Sequence, residues 1–236
     1  MKYNALTTMG ELEVLYLEER PSFFSKSEKI AKRVVIMPSD NTDFEAVMLD
    51  SCGRTVIAPV ESALAASLYF HKRGIPRDAL SLTVNRETVT IPRITEIVSG
   101  SYKYEIKCKQ LFTKCELTAS GITNTVYTNL EKHRTRILPL PAGSEATVEL
   151  IKQLNVSNGA PNTVRSLAYS SDGSGYRVEC SDRVITLDTV LPLLAFLSAK
   201  GSVGALDVYI SDRCYSFDTS RTSDGFMSIS IPCSIN

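Results

Sequence analysis

Two stretches of the chain are apolar on almost every side at helical spacing. Val60, Ala63, Leu64, Ala65, Ala66, Leu68 and Phe70 form one, and Val190, Leu191, Leu193, Leu194, Ala195, Phe196 and Leu197 form the other. A helix without a polar face has to be enclosed, because leaving it in water forgoes about 25 cal/mol per Å² of apolar surface. Each predicted helix ends at a glycine behind basic residues, His71-Lys72-Arg73-Gly74 and Lys200-Gly201, which suits a helix C-terminus. Pro192 places the start of the second helix near Thr189, since proline is tolerated in a first turn and disruptive later. β-Patterned runs precede the helices, Phe44 to Asp50 with Thr55 to Ala58, and Tyr176 to Glu179 with Arg183 to Thr186. Alternating strands follow them, Leu80-x-Leu82-x-Val84 and Leu206-x-Val208-x-Ile210. More polar helices, Ser27 to Arg33 and Ser144 to Leu154, are expected once per half.

The two halves read as one architecture written twice, a pattern that takes precedence over local motifs. Cys52-x-x-x-Val56-Ile57 matches Cys180-x-x-x-Val184-Ile185, Gly74 matches Gly201, and Ala79-Leu80 matches Ala205-Leu206. The repeating unit is strand, strand, helix, strand, strand. The expected class is α+β, with two pseudo-symmetric lobes over 1–117 and 118–220, each a mostly antiparallel sheet wrapped around a central buried helix and facing the other across a cleft. Phe226 to Ile231 alternates as one more strand.

Composition removes several function classes. The 236 residues carry 26 Lys+Arg and 26 Asp+Glu, so no global field draws the chain to nucleic acid or an anionic membrane, and neither is expected as a partner. Leu187 to Ala199 is too short to span a bilayer, and Met1-Lys2-Tyr3-Asn4 lacks the apolar run of a signal peptide, which makes the cytoplasm the expected location. Cys52, Cys108, Cys115, Cys180, Cys214 and Cys233 are scattered with no C-x-x-C, and the two histidines, His71 and His133, offer no zinc set or catalytic triad. Gly173-Ser174-Gly175 lacks the third glycine of a dinucleotide loop. Neither a metal nor a cofactor is expected, and oligomeric state is not legible.

Several segments together resemble the diaminopimelate epimerase superfamily, the cofactor-independent amino-acid epimerases and racemases. Met1-Lys2-Tyr3 through Met9-Gly10-Glu11-Leu12-Glu13 is similar to the family's opening. Asp50-x-x-Gly53 followed by Pro59-Val60-Glu61-Ser62 takes the place of its first Cys-Gly-Asn-Gly motif. Gly121-Ile122-Thr123-Asn124 is similar in place to the Gly-Asn-Pro-His segment, Pro161-Asn162-Thr163-Val164 to the later Asn-Val strand, and Glu179 to the Glu-Arg pair. Thr186 to Thr189 stands for the second cysteine motif. The resemblance implies two lobes, residues 221–236 returning to the first lobe, and substrate contacts at Glu11, Asp50, Ser62, Asn162, Glu179 and Thr189.

The departures are chemical. Epimerisation in this family needs a thiolate to take the α-proton and an opposite thiol to return it, yet Pro59 and Thr186 stand at those places. Proline is neither acid nor base, and a threonine hydroxyl is a poor base without an activating partner. Backbone N–H groups at the two helix starts would hold a substrate carboxylate, but Glu61 and Asp188 occupy those segments. They are the candidate catalytic pair of a carboxylate mechanism. They also suit ordinary capping, which favours acidic residues in a first turn by roughly 0.3–1 kcal/mol. Three readings follow: a diverged member that binds a small amino or carboxylic acid in the cleft without thiol racemisation; an active cofactor-independent isomerase using Glu61 and Asp188, or a shifted Cys52 and Cys180 pair; and a non-catalytic interaction protein with a filled cleft.

Overall fold

The computed structural model describes residues 2–24, 32–76, 80–91, 94–119, 122–129, 135–145, 147–156, 165–222, 224 and 226–235. In chain order these form β1 (Lys2–Thr7), β2 (Gly10–Tyr16), β3 (Lys32–Pro38), β4 (Phe44–Asp50), β5 (Thr55–Val56), α1 (Pro59–Lys72), β6 (Leu82–Val84), β7 (Glu87–Val89), β8 (Ile94–Val98) and β9 (Ser101–Lys109). There follow β10 (Phe112–Ala119), β11 (Ile122–Asn129), β12 (Thr135–Pro139), α2 (Val148–Val156), β13 (Arg165–Ser171), β14 (Tyr176–Cys180), α3 (Leu187–Ala199), β15 (Gly204–Ile210), β16 (Arg213–Arg221) and β17 (Phe226–Ile235). Two compact units result. The first holds Met1–Ile106, Val184–Asp188 and Ser230–Asn236, and the second holds Lys107–Arg183 and Thr189–Ile229.

In the first unit β2 lies antiparallel to β1 and parallel to β3, and β4 returns antiparallel to β3. The chain then crosses through α1 to β6, parallel to β4, and turns into antiparallel β7. The end of β17 pairs with β1, Ala5 facing Ile235. Every residue of α1 from Glu61 to Phe70 is buried, so the helix is enclosed as its composition requires. Aromatic rings pin it: Tyr69 stacks on Tyr16 at 5.4 Å and Phe70 tilts against Phe44 at 4.9 Å. The Tyr104 hydroxyl donates to the Leu64 carbonyl at 2.7 Å and that of Tyr3 to the Ala65 carbonyl at 3.3 Å. Burial pushes both phenols up, so they stay protonated donors.

In the second unit the same succession of pairings occurs, antiparallel β11–β12, parallel β12–β13, antiparallel β13–β14, parallel β14–β15 across α3, and antiparallel β15–β16. Phe196 of α3 meets Phe112, Tyr127 and Tyr169 at 5.3, 4.7 and 6.1 Å. Separately, Ile151 of α2 packs with Leu117, Val126, Leu138 and Ala168. The helix ends are alike in detail. Arg73 N–H donates to the Tyr69 carbonyl and Ile75 N–H to that of Phe70, and Lys200 and Ser202 do the same to Phe196 and Leu197. Gly74 and Gly201 supply the positive φ, 65° and 112°, that such an ending needs.

Local expectations needed six corrections. The helix expected over Ser27 to Arg33 falls partly outside the described residues, and Lys32 and Arg33 open β3, because Val34-Val35-Ile36 is a β-branched run that is buried, with Met37, in the sheet. The helix expected from Ser144 starts at Val148, where the Thr147 hydroxyl caps it by accepting from Leu150 N–H at 3.2 Å. Arg183 to Thr186 is not a strand and leads straight into α3. The strand of Thr55 to Ala58 is confined to Thr55–Val56, facing Leu49 and Met48, and that of Leu80 to Val84 to Leu82–Val84. α3 begins at Leu187 rather than Thr189, leaving Pro192 inside the helix.

Phe196→Ala is expected to cost about 3–5 kcal/mol in urea unfolding, the range for emptying an aromatic core site. Phe23→Ala, at a side chain 78% exposed, should change stability by less than about 0.5 kcal/mol.

Candidate functional site

The start of α1 is built without a cap of its own. Ala58 precedes it and makes no side-chain cap, and Pro59 at its first position has no N–H. The leading donors are therefore Val60 and Glu61. Both are taken by one side chain from 127 or more residues away: Asp188 Oδ1 accepts from Val60 N–H and Oδ2 from Glu61 N–H, each at 3.0 Å. The arrangement is reciprocal. Glu61 Oε2 accepts from Leu187 N–H, the first amide of α3, at 2.6 Å. Each helix start is capped by an acidic residue from the first turn of the other.

Lys32 completes the cluster. Its ammonium donates to Glu61 Oε1 at 2.6 Å and to the Met9 carbonyl, in the turn between β1 and β2, at 2.9 Å. Lys32, Glu61 and Asp188 are only 4%, 2% and 8% exposed. Such burial is tolerable only when charge is matched. One lysine against two carboxylates leaves one negative charge, and two helix N-termini, worth about half a positive charge each, balance it. Beside the cluster lies a cavity with room for about one water molecule, lined by Thr7, Met9, Leu12, Glu61, Leu64 and Tyr104 among others.

Ser62 follows Glu61 in the chain without a side-chain bond to the cluster, and the other sequence candidates are placed elsewhere. Ser62 is buried in the first turn of α1, and its hydroxyl has no hydrogen-bond partner among the described residues. Glu11 is exposed at the start of β2. Asp50 serves a turn, its Oδ1 accepting from Cys52 and Arg54 N–H at 2.9 and 2.8 Å. Glu179 lies on β14, and Thr189 donates to Asp182 Oδ2 at 2.6 Å, both in the second unit. Asn162 lies outside the described residues. Pro59 and Thr186 sit at the two helix starts and bring no thiol there. Cys52 is exposed in its turn, whereas burial pushes the Cys180 thiol up to about 12. Among the described residues no group of His, Cys, Asp and Glu could hold a metal ion, and no helix is long and apolar enough to cross a membrane.

Lys32 is the member the sequence reading missed. Beside Arg33 and following Lys26 and Lys29, it carries no local signal that marks it out as the buried cation.

Replacing Lys32 with Met leaves Glu61 buried without its cation, and a loss of about 3–5 kcal/mol in denaturant unfolding is expected. With a disulfide reagent at pH 8, exposed Cys52 and Cys214 should react in the native protein, while Cys180 and Cys233, both pushed up to about 12 by burial, should react only after unfolding.

No protein-family model and no curated protein sequence matches the chain. Solved structures do match over its whole length. A phenazine biosynthesis PhzC/PhzF protein from Clostridium difficile aligns with TM-score 0.60 at 12% identity, covering 100% of this chain and 96% of that one. A predicted epimerase from Pseudomonas aeruginosa aligns with TM-score 0.55 at 15% identity, with the same coverages. A methylitaconate-delta-isomerase aligns with TM-score 0.51 at 8% identity, covering 100% and 93%. At these identities the likeness concerns architecture alone. The chain thus has the α+β, diaminopimelate epimerase-like fold that PhzF-type proteins, epimerases and isomerases share.

Proposed function

We propose that this protein is a non-catalytic version of the epimerase-like fold, a binding scaffold rather than an isomerase. The observation that carries the reading is the reciprocal capping. The N–H groups of Val60, Glu61 and Leu187, where a substrate carboxylate would be sought, are already bound by Asp188 and Glu61. A small amino or carboxylic acid would have to expel Asp188 and then sit beside the like charge of Glu61. That argues against the reading in which such an acid is the ligand.

The isomerase reading meets a second difficulty. A general base needs a lone pair facing the proton it removes. Each oxygen of Glu61 and Asp188 already accepts a hydrogen bond from the protein, and although a carboxylate oxygen keeps a second lone pair, the adjoining cavity has room for only about one water, too little for a substrate's reacting carbon. With Pro59 and Thr186 at the two helix starts, neither place supplies a thiol to take or return a proton.

The test is α-proton exchange in deuterated water over a panel of amino acids including diaminopimelate, with a thermal-shift screen of the same panel. No exchange and no shift are expected. A ligand present at a hundred times its Kd would stabilise the native state by about 2.7 kcal/mol, an easily visible shift. Exchange that disappears in Glu61→Gln would establish the isomerase instead, and a saturable shift without exchange would establish the acid-binding reading.

A further inference from the structure

The two helices differ in where their proline falls. Pro59 opens α1, where no N–H is needed, and the residue of α1 that matches Pro192 on the 127-residue offset of Gly74 and Gly201 is Ala65. Pro192 instead lies in the second turn of α3. It offers no N–H to the carbonyl four residues back, that of Asp188, and its ring crowds the same carbonyl. Interior prolines are the commonest cause of a helix bend.

The helix runs on past that missing hydrogen bond, and its two sides are held by different parts of the protein. On the N-terminal side, Leu187 donates to Glu61 while Asp188 binds Val60 and Glu61. On the C-terminal side, Phe196 is ringed by Phe112, Tyr127 and Tyr169. Arg221 Nε donates to the Ser198 carbonyl at 2.9 Å, and Gln110 donates to the Ser198 hydroxyl at 2.7 Å. The division into compact units falls inside the helix at the same place: Val184–Asp188 belongs to the first and Thr189 onward to the second.

We propose that α3 is a hinged helix. Its first turn is anchored on α1 by the carboxylate cluster, its body is anchored among β10, β11 and β13, and the segment Thr189 to Leu193 flexes because Pro192 withholds a hydrogen bond. The hinge is a property of the fold and does not depend on whether the protein binds a small acid. Its first consequence is local. The Leu191 N–H, bonded to the Leu187 carbonyl by the helical pattern, is the last such link before the missing one and opens without either anchor letting go.

Residue-resolved amide exchange on the full chain tests this, because local opening reads out independently of global unfolding. In the native protein Leu191 is expected to exchange about tenfold or more faster than both Leu187 and Phe196, giving two protected blocks with a labile link. Pro192→Ala, which restores the missing donor, should slow Leu191 by a similar factor and leave Leu64 and Ala66 of α1 unchanged. Leu191 as slow as its neighbours would overturn the proposal, and so would Leu187 exchanging fastest, which is fraying from the helix end. Unchanged exchange in Pro192→Ala would overturn it too, and the native measurement decides the matter alone if that variant does not fold.

Discussion

Two helix N-termini must have their donors satisfied, and each takes a carboxylate from the first turn of the other helix. Ala58 cannot cap α1 and Pro59 removes one donor, so the next two fall to Asp188, while the first donor of α3 falls to Glu61. This exchange of carboxylates sets much else. It requires Lys32 at the base of β3 as counter-charge, and through Lys32 it reaches the turn at Met9. It also starts α3 two residues before Thr189 and so turns Pro192 from a helix-opening residue into an interior one. The cluster is neutral overall only when the helix dipoles are counted, which explains how three charged side chains stay buried together.

The same exchange fills the two helix starts. Helix N-termini are ready anion sites, and here the anions are covalently part of the protein. An intramolecular carboxylate has the advantage of high effective concentration over a free one, so occupancy by Asp188 is the default. The likeness to epimerases and isomerases is one of architecture, and the helix-start donors of Val60, Glu61 and Leu187 are committed to Asp188 and Glu61.

What the sequence revealed follows from the range of the forces involved. The enclosed helices were legible because an all-round apolar helix has one physical solution, and their glycine endings because a positive φ after a basic turn is a local signal. Glu61 and Asp188 stood out by their matching places at the two helix starts. That each caps the other helix was not legible, because the partners lie some 127 residues apart and no local pattern records such a pairing. Lys32 was missed because the polar stretch Ser27 to Arg33 reads as an exposed helix, whereas tertiary burial of Val34 to Met37 pulls its end into a strand. Arg183 to Thr186 failed for the converse reason, since it has strand-like composition but runs directly into the first turn of α3.

A double-mutant cycle between Glu61→Ala and Asp188→Ala, read by urea unfolding, tests the reciprocal caps most directly. If the two carboxylates dock the first turn of α3 on α1 as one unit, the first substitution already loosens what the second would remove. The double variant should then lose about 0.5–3 kcal/mol less than the sum of the singles, the coupling seen for residues that share partners. Strict additivity would contradict the account, because it would mean that each carboxylate caps its helix without regard to the other.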